Sequence, residues 1–144
     1  MLVLSYPATI ESGDESGFVV TFRDVPEVVS DGETREEALA EASDALGLAL
    51  LQYPGLGRPI PPASPAEEDE HLVAPDATDS LKIAVLDAFR ASGFTKSEFA
   101  RRIGKGETEA RRILDPMHRT KIGTIDEVLG ILGRRIVIGI EDAA

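Results

Sequence analysis

A chain of 144 residues with a formal net charge of −11 and no cysteine has room for one ordinary domain or two small ones, and excludes disulfides and thiolate metal sites. Acidity on this scale repels nucleic acid as a whole, so any DNA contact has to come from a local basic face. The opening MLVLSYP lacks the basic region of a signal peptide and no run approaches the roughly 18 apolar residues of a membrane span, so a soluble, cytoplasmic protein with no membrane partner is expected.

The charge is unevenly placed. Residues 1–80 carry 3 basic and 17 acidic side chains, or −14, whereas residues 81–144 carry 12 basic and 9 acidic, or +3. Three stretches are therefore expected: a first domain over 1–65, an acidic linker over 66–80, and a second domain over 81–144. An acidic half keeps a protein in solution, and it also invites a basic partner. Neither part has a large core, since a domain of about 60 residues buries only about 60% of its unfolded surface. Oligomerisation would help both.

Leu2 to Ile10 is apolar or β-branched with Pro7 inside, a pattern that suits an edge strand. A turn-rich run, Ser12 to Gly17, leads to Phe18, Val20 and Phe22, which alternate with Val19, Thr21 and Arg23 as in a second strand. Val28 to Ser30 suggests a short third strand, closed by Asp31-Gly32. Thr34 and Glu37 have capping-box spacing and open a helix from about Arg35 to Gln52. Its apolar face is Leu39, Ala42, Leu46, Ala49, Leu50 and Tyr53, and Gly47 costs it about 1 kcal/mol relative to alanine. Five prolines between Pro54 and Pro65 predict an extended segment near Ile60. Ala66 to Ser80 reads as linker, with a candidate short strand at His71-Leu72-Val73.

Leu81, Val85 and Phe89 mark a helix ending near Gly93. Thr95 and Glu98 then form a capping box for a helix carrying Phe99, Ala100 and Ile103, which Gly104 ends. After the Lys105-Gly106 turn comes a second amphipathic set, Ala110, Ile113 and Leu114. A further capping box, Thr124 and Glu127, precedes the stripe Ile125, Val128, Leu129 and Leu132. Four consecutive helices with a glycine turn after the second match the phage-repressor-like helix-turn-helix arrangement, which lays its second helix in the major groove. On that reading Glu107, Thr108 and Arg112 reach base edges, with Arg111 beside them, while Lys96, Lys105, Arg119 and Lys121 contact phosphates. Small bundles that never touch DNA also use two short helices around a glycine. Arg134 to Glu141 places Ile136, Ile138 and Ile140 on one side of a final strand, free to pair with its own sheet or with a second chain.

The stretch GFVVTFRDVPEVVSDGETREEALAEASDAL, the GRPIPP segment, the LKIAVLDAF helix and HRTKIGTI stand in an order and spacing that together resemble a HicB-type antitoxin of the HicAB toxin–antitoxin family. The likeness spans nearly the whole chain. It departs from the pattern at Arg23, where a proline is usual, and at Glu27, where a glycine is usual. The resemblance implies an α+β fold: an N-terminal partial RNase H-like βββα(β) domain, then an all-α helix-turn-helix DNA-binding and dimerisation domain with a C-terminal strand. It implies a HicA-type toxin as partner, a small basic RNA-cleaving protein of double-stranded-RNA-binding-like fold, and operator DNA of the shared operon as the second partner. Asp24, Glu27, Asp31, Glu37 and Glu41 are the acidic candidates for the toxin surface. The chain is expected to form a homodimer or higher homo-oligomer.

No catalytic residue, metal ligand or cofactor is assigned. His71 and His118 lie far apart in sequence, and carboxylates such as Asp14, Asp24 and Glu27 are commonplace at turns. The competing reading is a stand-alone repressor whose N-terminal domain dimerises or senses a ligand.

Overall fold

The computed structural model describes residues 1–142. Strands β1 (Tyr6–Ser12), β2 (Phe18–Phe22) and β3 (Val29–Gly32) form an antiparallel meander, and α1 (Arg35–Gly55) crosses one face of it. A short strand β4 (His71–Val73) then joins on the far side of β1, giving the order β3-β2-β1-β4. Four helices complete the chain: α2 (Ala77–Ser92), α3 (Lys96–Ile103), α4 (Glu107–Ile113) and α5 (Ile122–Ile131).

Period-2 alternation in the strands explains the layering. Val20 and Phe22 of β2 stand beside Ile10 and Ala8 of β1, and with Tyr6 they bury against Ala38, Ala42, Leu46 and Leu50 of α1. Thr21, between the two buried positions, is exposed. Thr34 caps α1, its Oγ1 accepting from the Glu37 amide at 3.1 Å, and Glu37 Oε2 accepts from the Glu33 amide at 3.1 Å. Gly47 is buried where α1 meets α2, and a Cβ there would stand 2.8 Å from Asp79 Oδ2. Close approach of two helices explains a residue that helix propensity disfavours.

The proline-rich segment is tied down along its length. The Tyr6 hydroxyl donates to the Pro61 carbonyl at 2.6 Å, and Asp24 accepts from the Ser64 amide at 2.8 Å and the Ser64 hydroxyl at 2.9 Å. Arg23 forks onto Glu70 at 2.9 and 3.0 Å and donates to the Pro65 carbonyl at 2.6 Å. The fork holds the Glu70 carboxyl below its ordinary range.

Helix α2 belongs to two cores. Ile83 and Leu86 pack with the sheet and α1, whereas Val85 and Ala88 pack with Phe99, Ala100, Ile103, Ala110, Ile113, Ile125, Val128 and Leu129. Phe89 meets Phe99 edge-on at 5.2 Å. Leu114, at the end of α4, touches both clusters.

Four expectations are corrected. β1 is an inner strand that starts at Tyr6, not an edge strand from Leu2; Pro7 is tolerated because the β1–β2 ladder begins only at Ala8, so β4 alone flanks it. Helix α1 runs on through Pro54 to Gly55 instead of ending at Gln52. Helix α5 opens at Ile122 with Lys121 as its cap residue and no side-chain cap, so Thr124 lies within the first turn; the exposed amides there are left to water. The stretch 134–142 forms no strand among the described residues. It has no strand beside it to satisfy its backbone, and Val137, Ile138 and Ile140 are 66%, 69% and 92% exposed.

Candidate nucleic-acid and partner interfaces

The α3–α4 pair is built by its own sequence. Thr95 Oγ1 accepts from the Glu98 amide at 3.1 Å and opens α3. Gly104 then takes φ 67°, the left-handed conformation that ends α3 and lets the chain turn, and Lys105 returns its amide to the Ala100 carbonyl at 3.3 Å. Burial of Ala110 and Ile113 fixes the rotation of α4, which leaves Glu107, Thr108, Arg111 and Arg112 exposed together. Lys96, Ser97, Glu107 and Arg111 line one open cleft of about 180 Å³ between the two helices.

The remaining cations behave differently. The Lys105 ammonium lies 3.8 Å from Glu109 and 4.0 Å from Glu127, so it is partly neutralised within the fold. Arg119 reaches back to the Thr78 hydroxyl at 3.3 Å, away from the α3–α4 cleft that it does not line. Lys121 is exposed at the start of α5.

The five acidic candidates also divide. Asp24 is half-buried and engaged by Ser64, and Glu27 accepts from the Tyr53 hydroxyl, a bond that helps to push the tyrosine above its ordinary range. Asp31 on β3, and Glu37 and Glu41 one turn apart on α1, are exposed. Asp31 lies on the open face of the sheet beside Val19, because its neighbour Ser30 turns to the Ala38 carbonyl of α1, whereas Glu37 and Glu41 lie on α1 itself.

Two buried charged residues were not anticipated. Lys82 is 3% exposed and donates to the Ile113 carbonyl at 2.8 Å, the Arg112 carbonyl at 3.3 Å and Thr120 Oγ1 at 2.7 Å. Burial pushes its ammonium down to about 8, against a weaker opposing pull from Asp115. Asp87, 7% exposed, accepts from Arg90 Nη2 at 3.0 Å and from Arg134 Nη1 at 3.0 Å, which anchors the start of the C-terminal stretch to α2. A signal for both was present: Lys82 lies four residues before Leu86, and Asp87 lies inside the apolar run VLDAF, so each shares a face with core residues.

A sheet and helix with exposed carboxylates, joined through one shared helix to a bundle that displays a polar helix, is an architecture for binding. A model of the HicB-like antitoxin of bacterial toxin–antitoxin systems matches residues 5–84. "Antitoxin HicB 1" of Photorhabdus laumondii is 38% identical over 138 residues, covering 96% of this chain and 88% of that protein. "Antitoxin HicB" of Escherichia coli K12 is 35% identical over 133 residues, covering 92% of this chain and 96% of that one, and its Pseudomonas fluorescens namesake is 34% identical over 136 residues, covering 93% of each. The class is therefore an antitoxin of a toxin–antitoxin system, not an enzyme. This chain belongs to the HicB antitoxin family. No helix among the described residues is long and apolar enough to cross a membrane.

Proposed function

We propose that this antitoxin binds and neutralises a small basic RNA-cleaving toxin of the HicA type through its N-terminal half, and represses the operon encoding both by sequence-specific DNA binding through α3 and α4. The observation that carries the second activity is the α4 face. Glu107, Thr108, Arg111 and Arg112 stand free on a helix whose opposite side is locked into the core by Ala110 and Ile113. That is what the second helix of a helix-turn-helix needs: Arg can pair with guanine and Glu can accept from a cytosine amino group. Lys96 at the start of α3 is the first phosphate contact, joined by Lys121, with Lys105 contributing less because Glu109 and Glu127 share its charge and Arg119 less because it is turned to Thr78.

For the toxin, the −14 balance of residues 1–80 supplies the long-range attraction; Asp31 and Glu41 are its free carriers, and Glu37 is exposed but shared with the Glu33 amide. Asp24 and Glu27 serve the fold first. The sheet-plus-helix half corresponds to the partial RNase H-like domain of the family, and its unit extends past residue 65, because β4 completes the sheet and Ile83 and Leu86 complete the core. The unpaired stretch 134–142 is completed by the same stretch of a second chain, giving the dimer that a two-fold operator requires. All of this takes place in the cytoplasm.

Co-expressing the chain with its genomic neighbour, beside a reporter driven by their shared promoter, tests both activities. Growth rescue with stoichiometric co-purification of a small basic protein, together with reporter repression, is expected. Repression without any such neighbour would leave a plain regulator.

A further inference from the structure

Lys82 has no place in the DNA-binding face described above, yet it is among the most buried charged groups in the molecule. A lysine ammonium taken out of water costs stability unless its donors are fully used. All three of the acceptors it uses lie on one target: the last carbonyls of α4, from Arg112 and Ile113, and the Thr120 hydroxyl in the loop that leads to α5. A cation at this end of a helix also complements the partial negative charge of its last carbonyls. Lys82 springs from α2, the helix shared by both cores, and Leu114 beside it packs against both. It lies in a cleft of about 260 Å³ where Leu48 and Leu51 of α1 face Met117, His118 and Arg119.

We propose that Lys82 is a positioning residue for operator binding: without touching DNA, it holds the C-terminal end of α4 and the Arg119-bearing loop at a fixed place on α2. This rests on the reading of α4 as the DNA-contacting helix. Around it, Asp76 at the cap of α2, Asp79 of α2, and His118 and Arg119 of the loop line the same cleft, the Arg112 carbonyl of α4 accepts from it, and Asp115 is the charge that pulls on it. Burial draws the Lys82 ammonium down to about 8, so losing its proton near there removes the charge and one donor from the strut.

The test titrates a promoter fragment with the full-length wild type, Lys82→Met and Thr120→Val between pH 7 and 9.5 at several salt concentrations. Lys82→Met should lose about tenfold in affinity at pH 7, the scale of one hydrogen bond to a charged group, with the salt slope of the wild type. Wild-type affinity should fall as pH rises through about 8, and that of Lys82→Met should stay level. Thr120→Val should show a smaller loss in the same direction, and it decides the matter if Lys82→Met does not fold. A Lys82→Met chain with a shallower salt slope would make Lys82 a phosphate contact, and one equal to the wild type at every pH would remove its role; either overturns this inference alone. A wild type that binds no promoter fragment overturns the reading of α4 as well.

Discussion

The turns around the sheet and the outer face of α4 use charge in opposite ways. Around the sheet, the charged residues near turns are spent on the fold: Arg23 on Glu70 and Pro65, Asp24 on Ser64, Glu27 on Tyr53. In the helical half the charged residues of α4 make no contact that the core depends on, and apolar packing alone sets their direction. Charge count therefore misleads about where a partner binds. A carboxylate in the sheet half is a docking candidate only after its internal partners have been counted, whereas Arg111 and Arg112 are candidates from burial pattern alone.

The sharpest way to break this comparison is to ask whether the halves are separate at all. Ile103→Ala, in the second core, should cost about 2–5 kcal/mol. Because α2 serves both cores, tyrosine fluorescence should follow: Tyr6 and Tyr53, the two tyrosines of the chain, both sit in the first core. Its urea midpoint should fall together with that of circular dichroism. An unmoved tyrosine transition would mean that α2 does not couple them.

A second contrast sets a spent carboxylate against a free one. Asp24→Ala strands the Ser64 donors and should destabilise the chain by about 1–3 kcal/mol in urea unfolding. Glu41→Ala should stay within about 0.5 kcal/mol yet slow toxin association at low salt, an effect that fades as salt rises. Equal stability losses would erase the distinction.

On the helical side, Lys96→Ala should reduce the slope of log operator affinity against log salt by about one, and an unaltered slope counts against a phosphate contact. The smallest expected effect concerns Lys82 and pH. Its folded-state value of about 8 lies below the ordinary 10.5. Between those values the unfolded chain holds the proton more tightly than the folded one, so the lysine's contribution to stability rises with pH across that window. Denaturant titrations of Lys82→Met should lack this rise.

Much of this was legible from patterns that local physics enforces. Capping boxes at Thr34 and Thr95, the alternation through Phe22 and the glycine at 104 each satisfy a backbone need within a few residues, and each expected element is present. The failures share a different cause. Pro7 argued for an edge strand because nothing nearby revealed that β4, more than sixty residues on, would flank it. Thr124 and Glu127 offered a cap that an earlier helix start made redundant. Residues 134–142 have a strand's alternation but no partner strand among the described residues, and a strand is a property of a pair. In the candidate sites, exposure on α4 and the core-facing positions of Lys82 and Asp87 followed from periodicity, whereas the partners that hold Lys82, Asp87 and Asp24 are distant in sequence.

The central claim is that toxin binding and DNA binding occupy different faces of one folded unit. Its most direct test is Arg112→Ala in the full-length chain, co-expressed with the neighbouring toxin and scored for growth and promoter-reporter repression in the same cells. The expected result is full growth rescue with repression lost, reflecting an operator affinity lower by about 1–3 kcal/mol. Rescue lost together with repression, from a chain that still folds, would contradict the separation of faces; repression fully retained would contradict the assignment of α4.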